Sequence, residues 1–208
     1  FSLPTFTPYL FLMKRLSLSL LFLSLSYVLL AQALQSPDQF LGYPLGAKYS
    51  RHHRVVEYFK SVAAAKPEMV KVEKYGQTNE GRELMIGIIA SPENLKRIET
   101  IRQNNLQMAG LSKNATSLSD APAIVWLSYN VHGNETSSSE AAMKTLYALV
   151  DPANAATKEW LKNTVVIIDP CLNPDGRDRY VNWYNSAVGK TYNPIPLARE
   201  HREPWPQG

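Results

Sequence analysis

The sequence predicts an α/β fold, a mixed, largely parallel sheet flanked by helices. Two observations carry this. Ala123-Ile124-Val125-Trp126-Leu127 is a short apolar run with β-branched and aromatic members, and Thr164 to Asp169 is another; both have the length and content of buried strands. Between them Met143, Leu146, Leu149 and Val150 recur at helical spacing. A strand, helix, strand succession makes a right-handed crossover and a parallel pair. At 208 residues with 45% hydrophobic content, the chain has the material for one sizeable domain.

In chain order, residues 1–12 precede a convincing start at Met13 and are expected to be an upstream artefact. Met13-Lys14-Arg15, the Leu/Ser-rich run Leu16 to Leu30 and Ala31-Gln32-Ala33 have the basic, apolar and small-residue parts of a secretory signal peptide over 13–33, cut after Ala33. A membrane anchor is the competing reading, and the serines and the A-x-A exit favour cleavage. The mature chain, 34–208, is then secreted or periplasmic with no stable membrane span. Leu34 to Ser50 reads as an extended leader. From His52 to Ala65, Val55, Val56, Phe59 and Val62 mark an amphipathic helix that Lys66-Pro67 ends. His52 and His53 are adjacent, point apart, and read as surface histidines.

Met69 to Tyr75 alternates and, with Leu84 to Ile89, forms a strand, turn, strand around Glu80-Gly81-Arg82, whose role is geometric. Leu95, Ile98 and Ile101 share one helical face before a loose loop from Ser112 to Ser119. Beyond the predicted crossover helix, Asp151-Pro152 is a break and Thr157 to Asn163 a short helical piece. Asn173-Pro174-Asp175-Gly176 reads as a turn beside the cleft. Arg177, Asp178 and Arg179 read as a solvated charge run or as groups reaching substrate. Trp183, Tyr184, Tyr192, Trp205 and the prolines from Pro194 onward read as a long loop that lines a cleft or covers the core.

The formal net charge of +4 loses Lys14 and Arg15 on cleavage, and the remaining basic residues are scattered, which excludes a nucleic-acid footprint. The single cysteine, Cys171, excludes an intramolecular disulfide and reads as a small buried hydrophobe.

The chemistry-bearing stretch is Tyr129-Asn130-Val131-His132-Gly133-Asn134-Glu135-Thr136, at a strand-to-helix turn where α/β proteins place their sites. Ser137 and Glu140 resemble a capping box for the helix. Gly133 lets the backbone turn sharply so that His132 and Glu135 converge on one zinc ion. The bland alternative is a loop histidine beside a glutamate favoured by a helix N-terminus.

Three segments in order resemble the zinc metallocarboxypeptidase family, the carboxypeptidase A/B-like enzymes: Tyr75 to Leu84 with its Glu-Gly-Arg turn, His132-Gly133-Asn134-Glu135, and Asn173-Pro174-Asp175-Gly176. The resemblance covers about residues 50 to 185. It implies a carboxypeptidase-like sheet, zinc as cofactor with His132 and Glu135 as its first two protein ligands, and a peptide or protein substrate. It also implies a third ligand, a second histidine roughly a hundred or more residues downstream, and a glutamate that activates water. His201, the only later histidine, lies too close to serve, so the third ligand and the general base are expected beyond Gly208, with the fold truncated and 34–208 forming the N-terminal part of a catalytic domain. The family's arginine beside the developing oxyanion has two candidates here as substrate-binding groups, Arg199 and Arg202. Two other readings stand beside this one: an aspartoacylase- or desuccinylase-like zinc amidohydrolase, whose motif also reads His-Gly-Asn-Glu, and a non-catalytic secreted peptide-binding module.

Overall fold

The computed structural model describes residues 33–112, 121–188, 193, 195–198 and 202. The expected signal segment up to Gln32, the loop from 113 to 119, and Tyr192, Arg199, His201 and Trp205 lie outside these. The described elements belong to one unit, Leu34–Gly208. Among the described residues no helix is long and apolar enough to cross a membrane.

The expected extended leader contains a short helix, α1 (Pro37–Leu41). Ser36 accepts from the Gln39 amide while the Gln39 side chain accepts from the Ser36 amide, a reciprocal cap that satisfies two amides left without partners at a helix start. Helix α2 (His52–Ala65) follows the predicted span and buries Val55, Val56, Phe59 and Val62.

Strands β1 (Val70–Gln77) and β2 (Glu83–Ile89) form the predicted hairpin. Its register shifts between Lys74 and Gly76, a bulge that re-aims the bulged side chain. Tyr75, at that bulge, places its hydroxyl 2.6 Å from Asp169. The connecting turn closes through the Gly81 amide to the Thr78 carbonyl at 3.0 Å, with Gly81 at a positive φ of 79°.

The polar stretch after the hairpin forms two helices, α3 (Pro92–Lys96) and α4 (Ile98–Met108), capped by Ser91 and broken at Arg97. Strand β3 (Ala123–Ser128), helix α5 (Ser137–Val150), the short α6 (Ala155–Trp160) and strand β4 (Thr164–Asp169) make the predicted crossover. Strands β3 and β4 are parallel and in register from Ala123↔Thr164 to Ser128↔Asp169. The sheet order is β1-β2-β4-β3, so it is mixed as predicted; among the described residues it is not the largely parallel sheet expected, since the β1/β2 and β2/β4 pairings are antiparallel and only that of the crossover is parallel.

Alternation along the strands divides the apolar residues between two faces. On one face Met85, Ile89, Val166 and Ile168 pack with Val55, Phe59 and Val62 of α2 and with Met143 and Leu146 of α5. Phe59 is wholly buried there; a fully buried side chain of that size contributes about 1.5–3 kcal/mol relative to exposure. On the other face Ile86, Ile88 and Val165 meet Leu95, Ile98 and Ile101. Strand β3 is the exception to the expected buried strands. It pairs with β4 along one edge, and Val125 and Trp126 are 40% and 57% exposed.

The last helix, α7 (Pro174–Ala187), corrects two expectations. Asn173-Pro174-Asp175-Gly176 is its first turn, not a free turn: Asn173 caps the Gly176 amide at 2.9 Å, and proline at the first helical position has no amide to leave unpaired. Trp183 and Tyr184, expected in a loop, are helical; Tyr180 and Tyr184 pack against Tyr49, and Trp183 packs against Tyr180 and Tyr184.

Candidate metal centre

Beyond Ser128 the backbone keeps its grip on the β4 side. The Tyr129 amide donates to the Asp169 carbonyl at 3.0 Å, and the Leu172 and Asn173 amides donate to the carbonyls of Tyr129 and Asn130 at 2.9 and 3.1 Å. Asn130 is buried and adopts the left-handed conformation, φ 56°, which asparagine tolerates better than other residues with a β-carbon. Its amide nitrogen donates to the His132 carbonyl at 2.6 Å and the Glu135 carbonyl at 3.3 Å. The Glu135 amide donates to the His132 carbonyl at 3.1 Å. Residues 130–135 therefore form a closed turn wrapped around the Asn130 side chain.

From that turn His132 and Glu135 project together. Nδ1 of His132 lies 3.2 Å from Oε1 of Glu135, and the two side chains are 71% and 61% exposed. Two donors bound to one tetrahedral zinc at about 2.0–2.1 Å sit about 3.3 Å apart, so an imidazole nitrogen and a carboxylate oxygen at this separation fit two corners of such a site. The same spacing lets an Nδ1–H donate to the carboxylate in the metal-free chain. Among the described residues no group of three or more His, Cys, Asp or Glu is arranged so that it could hold a metal ion.

Gly133 has a different role from the one expected. Its φ is not positive; what requires glycine is close approach, since a β-carbon there would lie 2.1–2.5 Å from the backbone of Gly176. The His-Gly-Asn-Glu turn thus rests directly on the Asn-Pro-Asp-Gly turn. Asp175 in turn holds the hairpin, accepting from Thr78 Oγ1 at 2.7 Å and Arg82 Nη1 at 2.6 Å. Arg82 also bonds Glu80 and, at 2.9 Å, Asp178. Burial opposes the Asp175 charge, but the bonds from Thr78 and Arg82 win and hold its carboxyl below the usual carboxylate range. The three segments singled out in the sequence are one contact network.

The charge run is corrected: Arg177 is fully buried. Its Nε and Nη2 donate to the Ser50 carbonyl at 3.0 and 2.7 Å. Nη1 reaches Asn130 Oδ1 at 3.1 Å and the Thr136 carbonyl at 2.7 Å, and Nη2 reaches both Glu140 oxygens at 2.8 Å. Glu140 is therefore not a capping-box partner. The helix cap is Thr136, without a side-chain bond, and Glu140 spends its second interaction on the Ser50 amide at 2.7 Å. A guanidinium out of water needs a charge and several acceptors, and here it finds them.

His52 is also corrected. It is 4% exposed, with its backbone amide on Asp178 at 2.7 Å and its Nε2 2.8 Å from the Glu83 carbonyl, because the first turn of α2 packs between the hairpin and α7. Burial lowers its imidazole pKa, partly offset by the Glu83 carbonyl and Asp178. Cys171 is buried as expected, and burial pushes its thiol up to about 12.

Of the predicted site residues, His132 and Glu135 are brought together. Arg202 is exposed, and Arg199 lies outside the described residues. Sequence reasoning missed Asn130, Ser50, Glu140 and Arg177. Asn130 carried a signal, an asparagine just ahead of a metal-type histidine at a strand end; the other three carried none, since their partners come from distant segments.

A zinc carboxypeptidase family model matches residues 55–199, well over half of the chain. Among solved structures, the chain is similar to thrombin activatable fibrinolysis inhibitor, at 14% identity and a TM-score of 0.49 over 70% of this chain and 29% of that one. It is also similar to carboxypeptidase A from Helicoverpa armigera, at 21% identity and 0.46 over 63% and 26%, and to a metallo-carboxypeptidase from Burkholderia cenocepacia, at 16% and 0.45 over 62% and 28%. The chain thus spans under a third of the length of each. By the family match, which contains all three motif segments, this chain belongs to the zinc carboxypeptidase family.

Proposed function

We propose that the protein is a zinc-dependent, carboxypeptidase-type metallopeptidase that hydrolyses peptide bonds of a peptide or protein substrate after secretion or export to a periplasm. The observation that carries it is the His132–Glu135 pair, 3.2 Å apart and open to solvent, within a family-matched segment. His132 and Glu135 hold the ion through an imidazole nitrogen and a carboxylate oxygen. When bound, zinc supplies a Lewis acid and brings a water pKa toward neutrality. The exposure of both donors leaves room for substrate and water. Asn130, Gly133 and the first turn of α7 keep the two side chains aimed at one point. In this proposal the third ligand and the general base come from outside the described residues, in the remainder of a longer catalytic domain. Arg199 and Arg202 are the cationic groups proposed to meet substrate.

Metal analysis of the full-length protein, as wild type and as His132→Ala, tests this. About one zinc per chain, lost in the variant, is the expected result, followed by release of C-terminal residues in a peptide screen. Zinc-free, well-folded wild type overturns the proposal and favours a peptide-binding module. Zinc binding with cleavage of small acylated amino acids and not of peptides favours an amidohydrolase.

A further inference from the structure

We propose that Asn130 is a positioning residue for the two metal donors, clamped in its orientation by Arg177; the inference rests on the zinc reading above. Its side-chain amide faces two sets of partners. Ser139 Oγ and Arg177 Nη1, each 3.1 Å from Oδ1, are approached on one side, and the carbonyls of His132 and Glu135 on the other. The guanidinium can only donate and the two carbonyls can only accept, so the amide has one workable orientation. Reversing it would set an oxygen against two carbonyl oxygens and an NH2 against a guanidinium.

The residues whose carbonyls Asn130 holds are the two ligand residues themselves. Holding both carbonyls fixes the backbone at each end of the His-Gly-Asn-Glu turn, and with it the 3.2 Å separation of the donor atoms. Arg177 secures the far side, tying Asn130 to the Thr136 carbonyl, Glu140 and Ser50. The left-handed backbone, φ 56°, would accept glycine equally well; glycine would not hold the carbonyls. Asparagine supplies both.

That distinction sets the test. Asn130→Gly keeps the backbone conformation and removes the clamp. The full-length protein is stripped of metal, its folding and zinc-free melting temperature are recorded by circular dichroism, and zinc is titrated in competition with a chromophoric chelator. Wild type, Asn130→Gly and His132→Ala are compared. The expected result is a folded Asn130→Gly protein whose zinc Kd is weakened roughly 10–100-fold, the usual loss when a partner behind a metal ligand is removed. A lowered zinc-free melting temperature with a Kd within about twofold of wild type, against that expected loss, assigns Asn130 a purely structural role and overturns the inference. If Asn130→Gly does not fold, Asn130→Asp, which tolerates the same φ and keeps an acceptor for Arg177, is measured instead with the same expectation and the same refutation. Failure of the zinc reading is distinct: wild type and His132→Ala would then both lack zinc.

Discussion

Replacing Glu140 by Gln isolates the buried charge behind the turn. The Arg177 and Glu140 side chains are 0% and 6% exposed, so water cannot take over when the carboxylate is neutralised. Gln keeps the volume and one acceptor oxygen, while its NH2 meets a guanidinium that has only donors. Breaking one partner of a buried pair costs about 3–5 kcal/mol, and the retained acceptor puts this substitution near about 3 kcal/mol. The Lys162–Glu159 pair, 62% and 68% exposed, supplies the control, since Glu159→Gln removes the same charge where solvent screens it. In urea unfolding followed by tryptophan fluorescence, Glu140→Gln should lower the midpoint at unchanged slope. In a melt it should lower Tm by roughly 6–12 °C for a unit of this size. Glu159→Gln should leave both in place. Equal midpoints for the two variants would refute the reasoning, because the buried guanidinium would then be satisfied without its carboxylate.

Three more outcomes follow from the same contacts. Gly133→Ala drives a β-carbon into the Gly176 backbone, which cannot rotate aside as a side chain could; a loss of about 3 kcal/mol or more, together with weakened zinc binding, is expected in the same unfolding and titration assays. His52 is pushed by burial below its ordinary value of about 6.5. The unfolded chain therefore takes up this proton first as pH falls, and the stability present above about pH 6.5 declines below it. Urea midpoints at pH 7.5 and 5.5 should show a drop in wild type that shrinks in His52→Gln, and an unchanged drop would sink the assignment. Cys171, 2% exposed with its thiol pushed up to about 12, should resist iodoacetamide at neutral pH in the native protein and react in denaturant; rapid native labelling would contradict the packing described.

Local pattern determined what depends on neighbours in sequence. The α2 span, the hairpin, the crossover of β3, α5 and β4, and the placing of His132 and Glu135 at a strand-to-helix turn all follow from periodicity and from residues a few positions apart. Tertiary structure decided what depends on distant segments meeting. Arg177-Asp178-Arg179 reads as a surface run until Ser50 and Glu140 are brought against Arg177 from remote parts of the chain. Glu140 reads as a cap until that guanidinium claims it, and His52 reads as exposed until Asp178 and Glu83 close over it. Gly133 is glycine because of Gly176, far along the chain. A strand or helix period records which side of an element is apolar, but not which charged group will be lowered onto it, because partner choice among buried polar groups is settled by packing between elements.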